Sequence, residues 1–306
     1  MSVASFGGGD SSYTYTNKSK KAKLAEAIEE TSVVVATKTA TASTLSRTAY
    51  DILDRINSLN LEDVASYFDK DDDDIDPYVV CDGVSVDAFN AYVGDGEGLR
   101  VALRFLDLSA DGRILIVELP TTVHESTARN FEFAFLVASG NGHEVASRGS
   151  MTASRDALRK KEADATFGPK RSTPNRNPAP APRTIADWVT LTVEVGRSQS
   201  WADLTRAAQW WCGYAGIQSI LLLKVSATGI QIQYALYDIV ALDTLPAQTT
   251  QGTFRRRTTP NPPAVNVTLD MRRILSIPAP LALPDEVNLF AVVNLRTVMD
   301  EVIDSI

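Results

Sequence analysis

Apolar and polar residues alternate strictly over 189–196 (VTLTVEVG), so that Val189, Leu191, Val193 and Val195 share one face and Thr190, Thr192, Glu194 and Gly196 the other. A period of two predicts a strand. Segments 99–108 (LRVALRFLDL) and 112–119 (GRILIVEL) alternate or run apolar around SADG, which predicts a hairpin stopped by Pro120. A second hairpin is predicted from 217–225 (IQSILLLKV) and 230–238 (IQIQYALYD) over SATG. Shorter strands are expected at 143–150, 163–167 and 265–270. Helical spacing of Ala49, Ile52, Leu53, Ile56 and Leu59 predicts an amphipathic helix within 44–67. Further helices are expected at 123–138, with Thr121 or Thr122 at the cap, at 200–213, capped by Ser198 or Ser200, and at 291–304. A short basic helix is expected at 18–30. Helices and strands in this order predict an α/β chain of the mixed α+β kind, not an alternating doubly wound sheet.

Composition divides the chain further. Residues 1–43 read as a disordered Ser/Thr-rich tail carrying the short basic helix. Residues 44–97 form a helical and acidic N-terminal segment, and 98–306 the main domain, with its core at 98–240 and a C-terminal extension. Of 306 residues 44% are hydrophobic, enough for a core. No apolar run approaches the ~20 residues of a membrane helix, so no membrane partner is expected. No signal peptide is visible, and two cysteines suit a reducing compartment, so the expectation is an intracellular protein, cytoplasmic or nuclear. The sequence carries no signal for oligomeric state.

The net charge of −8 would count against a polyanionic partner if it were evenly spread. It is not. Residues 61–97 hold twelve acids against the single base Lys70, and the rest of the chain is slightly positive. The run DKDDDDID lacks the ligand spacing of a calcium loop and reads as a solvated acidic loop. Residues 155–183 are basic, with Arg155, Arg159, Lys160, Lys161, Lys170, Arg171, Arg176 and Arg183 against Asp156, Glu162 and Asp164. They include GPKRSTPNRNPAPAP, a polyproline-like loop that is either a clamp for a nucleic-acid strand or simply solvated. Arg255, Arg256 and Arg257 form a second basic cluster.

The common motifs of nucleotide, hydrolase and zinc chemistry are missing: no P-loop, no G-x-S-x-G, no CxxC, no HExxH. What remains is carboxylates on strands, Asp164 in KEADATFGP and Glu194 in VTLTVEVG. A glutamate in so apolar a strand needs a cation, a metal or hydrogen bonds. Two carboxylates on adjacent strands suit Mg²⁺, which takes oxygen ligands and keeps several waters. The competing reading is that Glu194 pairs with Arg197, Arg206 or Lys224. Trp201, Leu204, Ala208 and Trp211 form a packing stripe, Cys212 is a small buried residue, and His124 caps or orients its helix near Glu125.

The run EADATFGP, then VTLTVEVGRSQSWADLTRAAQWW, then ILLLKV resembles the core of the PD-(D/E)XK superfamily of restriction-endonuclease-like nucleases, in the branch expanded in fungi and oomycetes. ILIVELPTTVHESTARNFEF resembles that branch's strand, proline and His-led first core helix. The resemblance covers about residues 98–240. It implies a central mixed sheet flanked by helices, with Asp164 and Glu194 as ligands of Mg²⁺ or Mn²⁺, Glu125 as a helix acid, and Gln199 beside the metal. The superfamily's lysine should stand two residues after Glu194, where this chain has Gly196. Lys224 or Arg206 then has to supply the charge, and arginine cannot act as a general base at ordinary pH. The candidate nucleic-acid contacts are Lys160, Lys161, Lys170, Arg171, Arg176 and Arg206. The expected function is phosphodiester hydrolysis of DNA or RNA by a metal-activated water. The alternatives are a catalytically inactive, effector-like module that binds nucleic acid or a protein partner, and a structural protein.

Overall fold

The computed structural model describes residues 47–70, 72, 74–257, 259 and 261–306. The expected tail and basic helix of 1–43 lie outside them. The periodic segment 44–67 holds two helices, α1 (Ala49–Ser58) and α2 (Leu61–Phe68). Thr48 and Asp51 form a reciprocal capping box on α1. The chain breaks at Leu59, which is extended, and Asn60 caps α2 by accepting from the Glu62 N–H. Then come β1 (Tyr78–Cys81), α3 (Val86–Val93), β2 (Leu106–Leu108) and β3 (Ile114–Ile116). These strands make an antiparallel sheet in the order β1–β3–β2. The predicted hairpin therefore exists, but shorter than expected. Its residues Leu106, Leu108, Ile114 and Ile116 share a core with Ile52, Ile56, Val64 and Phe89, separate from the core of the large sheet.

The large sheet begins after α4 (Thr122–Ala138), whose N-cap Thr121 accepts from the His124 N–H. Its strands include β4 (Val145–Ser147); β5 (Thr152–Ala153) and β6 (Lys161–Glu162) form a small separate ladder. Next are β7 (Ala165–Pro169), β8 (Leu191–Gly196), α5 (Trp201–Trp211), β9 (Ser219–Val225), β10 (Gln231–Asp238) and β11 (Thr250–Arg255). The order is β11–β10–β9–β8–β7–β4, and β8–β9 is the parallel pair. Parallel neighbours need a crossover, and α5 supplies it. Its start is fixed by a capping box between Ser200 and Asp203.

Helix α4 packs on one face of this sheet, with Phe131 and Phe135 against Ala165, Phe167, Leu191 and Val193. Helix α5 packs on the other, with Leu204, Ala208 and Trp211 near Leu222 and Ala235. The chain is thus a mixed α+β protein with a central mixed sheet flanked by helices. Strand β8 is buried throughout, so its polar face is also interior. Beyond the sheet lie β12 (Asn266–Asp270), α6 (Met271–Ile274), β13 (Phe290–Asn294) and α7 (Leu295–Asp304). The expected helix at 291–304 is half strand: 290–294 pairs with β12, and Asn294 caps α7. No helix among the described residues is long and apolar enough to cross a membrane.

Phe135 is fully buried and meets Phe167 edge to face, with centroids 4.9 Å apart. Phe135→Ala should cost about 3–5 kcal/mol in urea unfolding. Phe133 lies on the same helix but is 70% exposed, and Phe133→Ala should change stability by less than about 0.5 kcal/mol.

Candidate active site

Ala165 pairs with Val193 in the antiparallel β7–β8 ladder, and the Asp164 N–H donates to the Val193 carbonyl at 3.2 Å. Asp164 therefore lies beside Glu194 at one end of the sheet. Their side chains are 4% and 5% exposed. Each carboxylate is engaged from a different layer. Asp164 Oδ2 accepts the Val195 N–H at 2.7 Å, and its Oδ1 lies 2.8 Å from His124 Nε2 on α4. Glu194 Oε1 accepts the indole N–H of Trp211 on α5 and lies 3.3 Å from Lys161 Nζ on β6.

His124 is buried between two carboxylates, because its Nδ1 stands against Glu118 Oε1. Glu118 Oε2 accepts the Arg197 N–H at 2.9 Å and the Ser198 N–H at 3.1 Å. A continuous buried chain, Glu118–His124–Asp164, thus ties the turn after β8 to the start of β7. Arg104 stands beside it, 2.8 Å from Glu125, 3.7 Å from Asp164 and 3.9 Å from Glu162.

The position expected to carry the lysine is Gly196, and a side chain there would crowd Leu204 of α5 and the Gln199 Cβ at 3.1–3.3 Å. In the parallel ladder Gly196 pairs with Lys224. Lys224 thus comes in from the neighbouring strand at the same level. Its Nζ donates to the Gln199 carbonyl at 2.5 Å and lies 3.0 Å from Asp74. Gln199 itself is buried in the turn.

The other candidates divide by place. Glu125 is at the rim on Arg104, and Lys161 is on Glu194. Lys160 is next to the site in sequence but gives its ammonium to the Gly94 carbonyl at 2.5 Å. Lys170, Arg171 and Arg176 follow β7, at the end of the strand away from Asp164. Five residues at about 3.3 Å each put them ~16 Å off. Arg176 is also tied to the carbonyls of Lys170, Arg171 and Asn177. The proline-rich loop is therefore not a clamp around Asp164: proximity in sequence is undone by the length of the strand. Arg206 is 60% exposed and pairs with Asp203 on its own helix, so it does not reach the acid pair. Sequence reasoning missed Glu118, Arg104 and Glu162. The signal for Glu118 was present, since it is an acid in the apolar run ILIVEL, as Glu194 is in VTLTVEVG.

The electrostatics follow from burial and pairing. Burial opposes a charge on His124, but the Asp164 and Glu118 carboxylates on either side hold its pKa well above the ordinary range. Burial also works against a charge on Asp164, yet His124, the Val195 N–H and Arg104 outweigh it and keep this carboxyl below its usual value. For Glu194 burial wins, assisted by the charge of Asp164 and resisted by Lys161 and Trp211, and its pKa is pushed up to about 7. Burial likewise raises Glu162. Two adjacent carboxylates have the oxygen-donor chemistry of a divalent-cation site. Loading it would mean exchanging contacts now made by His124 and Lys161. Among the described residues no three His, Cys, Asp or Glu side chains already stand at metal-holding geometry.

No family model matches the chain, and no curated protein does. The fold is similar to that of a solved structure from Anabaena variabilis, a "putative nuclease belonging to DUF820", at a TM-score of 0.43 and 11% identity, over 72% of this chain and 99% of that one.

The raised Glu194 fixes the sign of a pH effect. Between the ordinary glutamate value of 4.5 and about 7 the folded state holds a proton that the unfolded state has lost. Stability contributed by the protonated form is complete below 4.5 and is lost as pH rises through about 7. Urea unfolding across this window, without divalent ions, should show stability falling with pH, and Glu194→Gln should flatten the fall.

Proposed function

We propose that this chain is a restriction-endonuclease-like nuclease that hydrolyses phosphodiester bonds in DNA or RNA. The observation that carries the reading is the pairing of Gly196 with Lys224, which places a lysine on the face of the sheet that carries Glu194, one strand over and two residues further along. Two acids and a lysine then share one end of a mixed sheet, with the lysine on the strand neighbouring Glu194. Asp164 and Glu194 would hold Mg²⁺ or Mn²⁺, which when bound supplies Lewis acidity for the phosphoryl oxygen and a more acidic water. The rest of the chemistry falls to side chains. His124 and Glu118 orient the Asp164 carboxylate. Lys224, aimed by the Gln199 carbonyl, stabilises charge gathering on the phosphate oxygens. Trp211 fixes the rotamer of Glu194, while Lys161 neutralises it when no other cation is present.

A second reading, a catalytically inactive module that binds nucleic acid or a protein, is favoured by one specific observation: His124 and Lys161 already neutralise the two acids. The two readings separate in one set of measurements. With Mg²⁺ or Mn²⁺, the chain should cleave a DNA or RNA oligonucleotide. Asp164→Asn, Glu194→Gln and Lys224→Met should each lower the rate by roughly a hundredfold or more. Arg206→Ala should leave it unchanged. Activity that survives Asp164→Asn and Glu194→Gln would remove the site assignment. Calorimetry with no heat of divalent binding, alongside retained oligonucleotide binding, would select the inactive module.

A further inference from the structure

We infer that the acidic segment leading to Asp76 is a built-in competitor for the site lysine, held so that a nucleic acid must displace it. This rests on the reading above, in which Lys224 faces a phosphate. Lys224 Nζ lies 3.0 Å from Asp74 Oδ1. The turn that follows Glu194 grips the same segment at two further points. Arg197 Nη1 donates to the Phe68 carbonyl at 2.7 Å and Nη2 to the Lys70 carbonyl at 2.9 Å. The Ile75 N–H donates to the Ser198 carbonyl at 2.9 Å, and the Ile75 side chain is buried in the N-terminal core. Arg197, Ser198 and the lysine held by the Gln199 carbonyl therefore each contact this segment. Two of them, Arg197 and Ser198, are anchored by Glu118 to the His124–Asp164 chain.

The chemistry is that of a phosphate substitute. A carboxylate on the ammonium that would meet a phosphodiester oxygen removes the positive charge a polyanion needs. The contact is intramolecular, so its effective concentration is high and it needs no partner to form. It is also weak, since Asp74 is 68% exposed and the pair is open to solvent screening. A weak, solvent-exposed pair cannot seal a site. It can raise the threshold for binding, and a ligand with many phosphates overcomes it more easily than one with few. In sequence the same segment carries further acids at Asp69, Asp71, Asp72, Asp73 and Asp76.

The test uses the full chain, Asp74→Asn, and a variant with Asp71 through Asp74 all changed to Asn, each confirmed folded by its thermal midpoint. Anisotropy of labelled DNA and RNA oligonucleotides gives affinity, and amine acetylation followed by mass spectrometry gives the exposure of Lys224. The expected result is roughly two- to fivefold tighter binding for Asp74→Asn at low salt, a larger gain for the fourfold variant, a gap that closes as salt rises, and faster acetylation of Lys224. Faster acetylation with unchanged or weaker binding would overturn the inference, since the contact would then be a structural staple. The proposed function would survive that result if Lys224→Met still weakened binding. Unchanged acetylation in both variants would overturn the inference as well. If neither the wild-type chain nor any variant binds oligonucleotide, the nuclease reading falls, and the inference falls with it.

Discussion

A histidine buried between two carboxylates is the constraint around which the rest of this site is arranged. Removing an ion from water costs several kcal/mol even after relaxation, and that cost is met only by close partners on every side. Glu118, His124 and Asp164 provide this for one another, and Arg104 approaches Asp164 as a further cation. The spare lone pairs at the two ends are taken by backbone N–H groups of Val195, Arg197 and Ser198. One polar chain therefore holds the first turn of α4, the start of β7 and the turn after β8 in a single arrangement. Loss of one member would leave the others as uncompensated buried charge, which is why the chain fixes geometry as well as composition.

Much of the scaffold could be read from local patterns because local forces produce it. The alternation in VTLTVEVG, the Ser200 cap and the turns at SADG and SATG are encoded within a few residues, and each gave an element close to its predicted place. Where long-range packing decides, the pattern was insufficient. Thr190 and Thr192 stand on the polar face of the strand yet are fully buried, with Thr190 Oγ1 donating to the Ile274 carbonyl at 2.6 Å. The 291–304 segment looked helical because its first residues are apolar at both periods, and the pairing with β12 decided for strand.

The site was legible as chemistry and only partly as partners. Asp164 and Glu194 were marked as needing compensation because carboxylates in apolar strands always do. The identity of the compensating groups depends on which elements meet at the sheet end. Glu194 takes Lys161 and Trp211, neither of which its helical or strand spacing singles out. Gly196 is a clearer case. In sequence it looks like a lost residue, but in three dimensions it is the space that lets α5 lie close on β8, and the parallel partner of Lys224. A backbone position and the side-chain function once expected there have been separated by one strand, about 4.8 Å.

Charge shows the same separation of sequence from place. The chain's net −8 says little about what a phosphate at the Asp164–Glu194 end would feel, because exposed charges are screened within about 10 Å at moderate salt. The bases around Asp164 in sequence do not form one positive surface. Arg155, Arg159 and Arg183 are committed to Asp243, Asp107 and Asp187, and Lys170, Arg171 and Arg176 sit at the far end of β7. What reaches the site is a small set of cations drawn from four separate elements: Arg104, His124, Lys161 and Lys224. All four are paired with acids, so the local field there is set by how readily those pairs open, and the lysine facing Asp74 belongs to the most exposed of them.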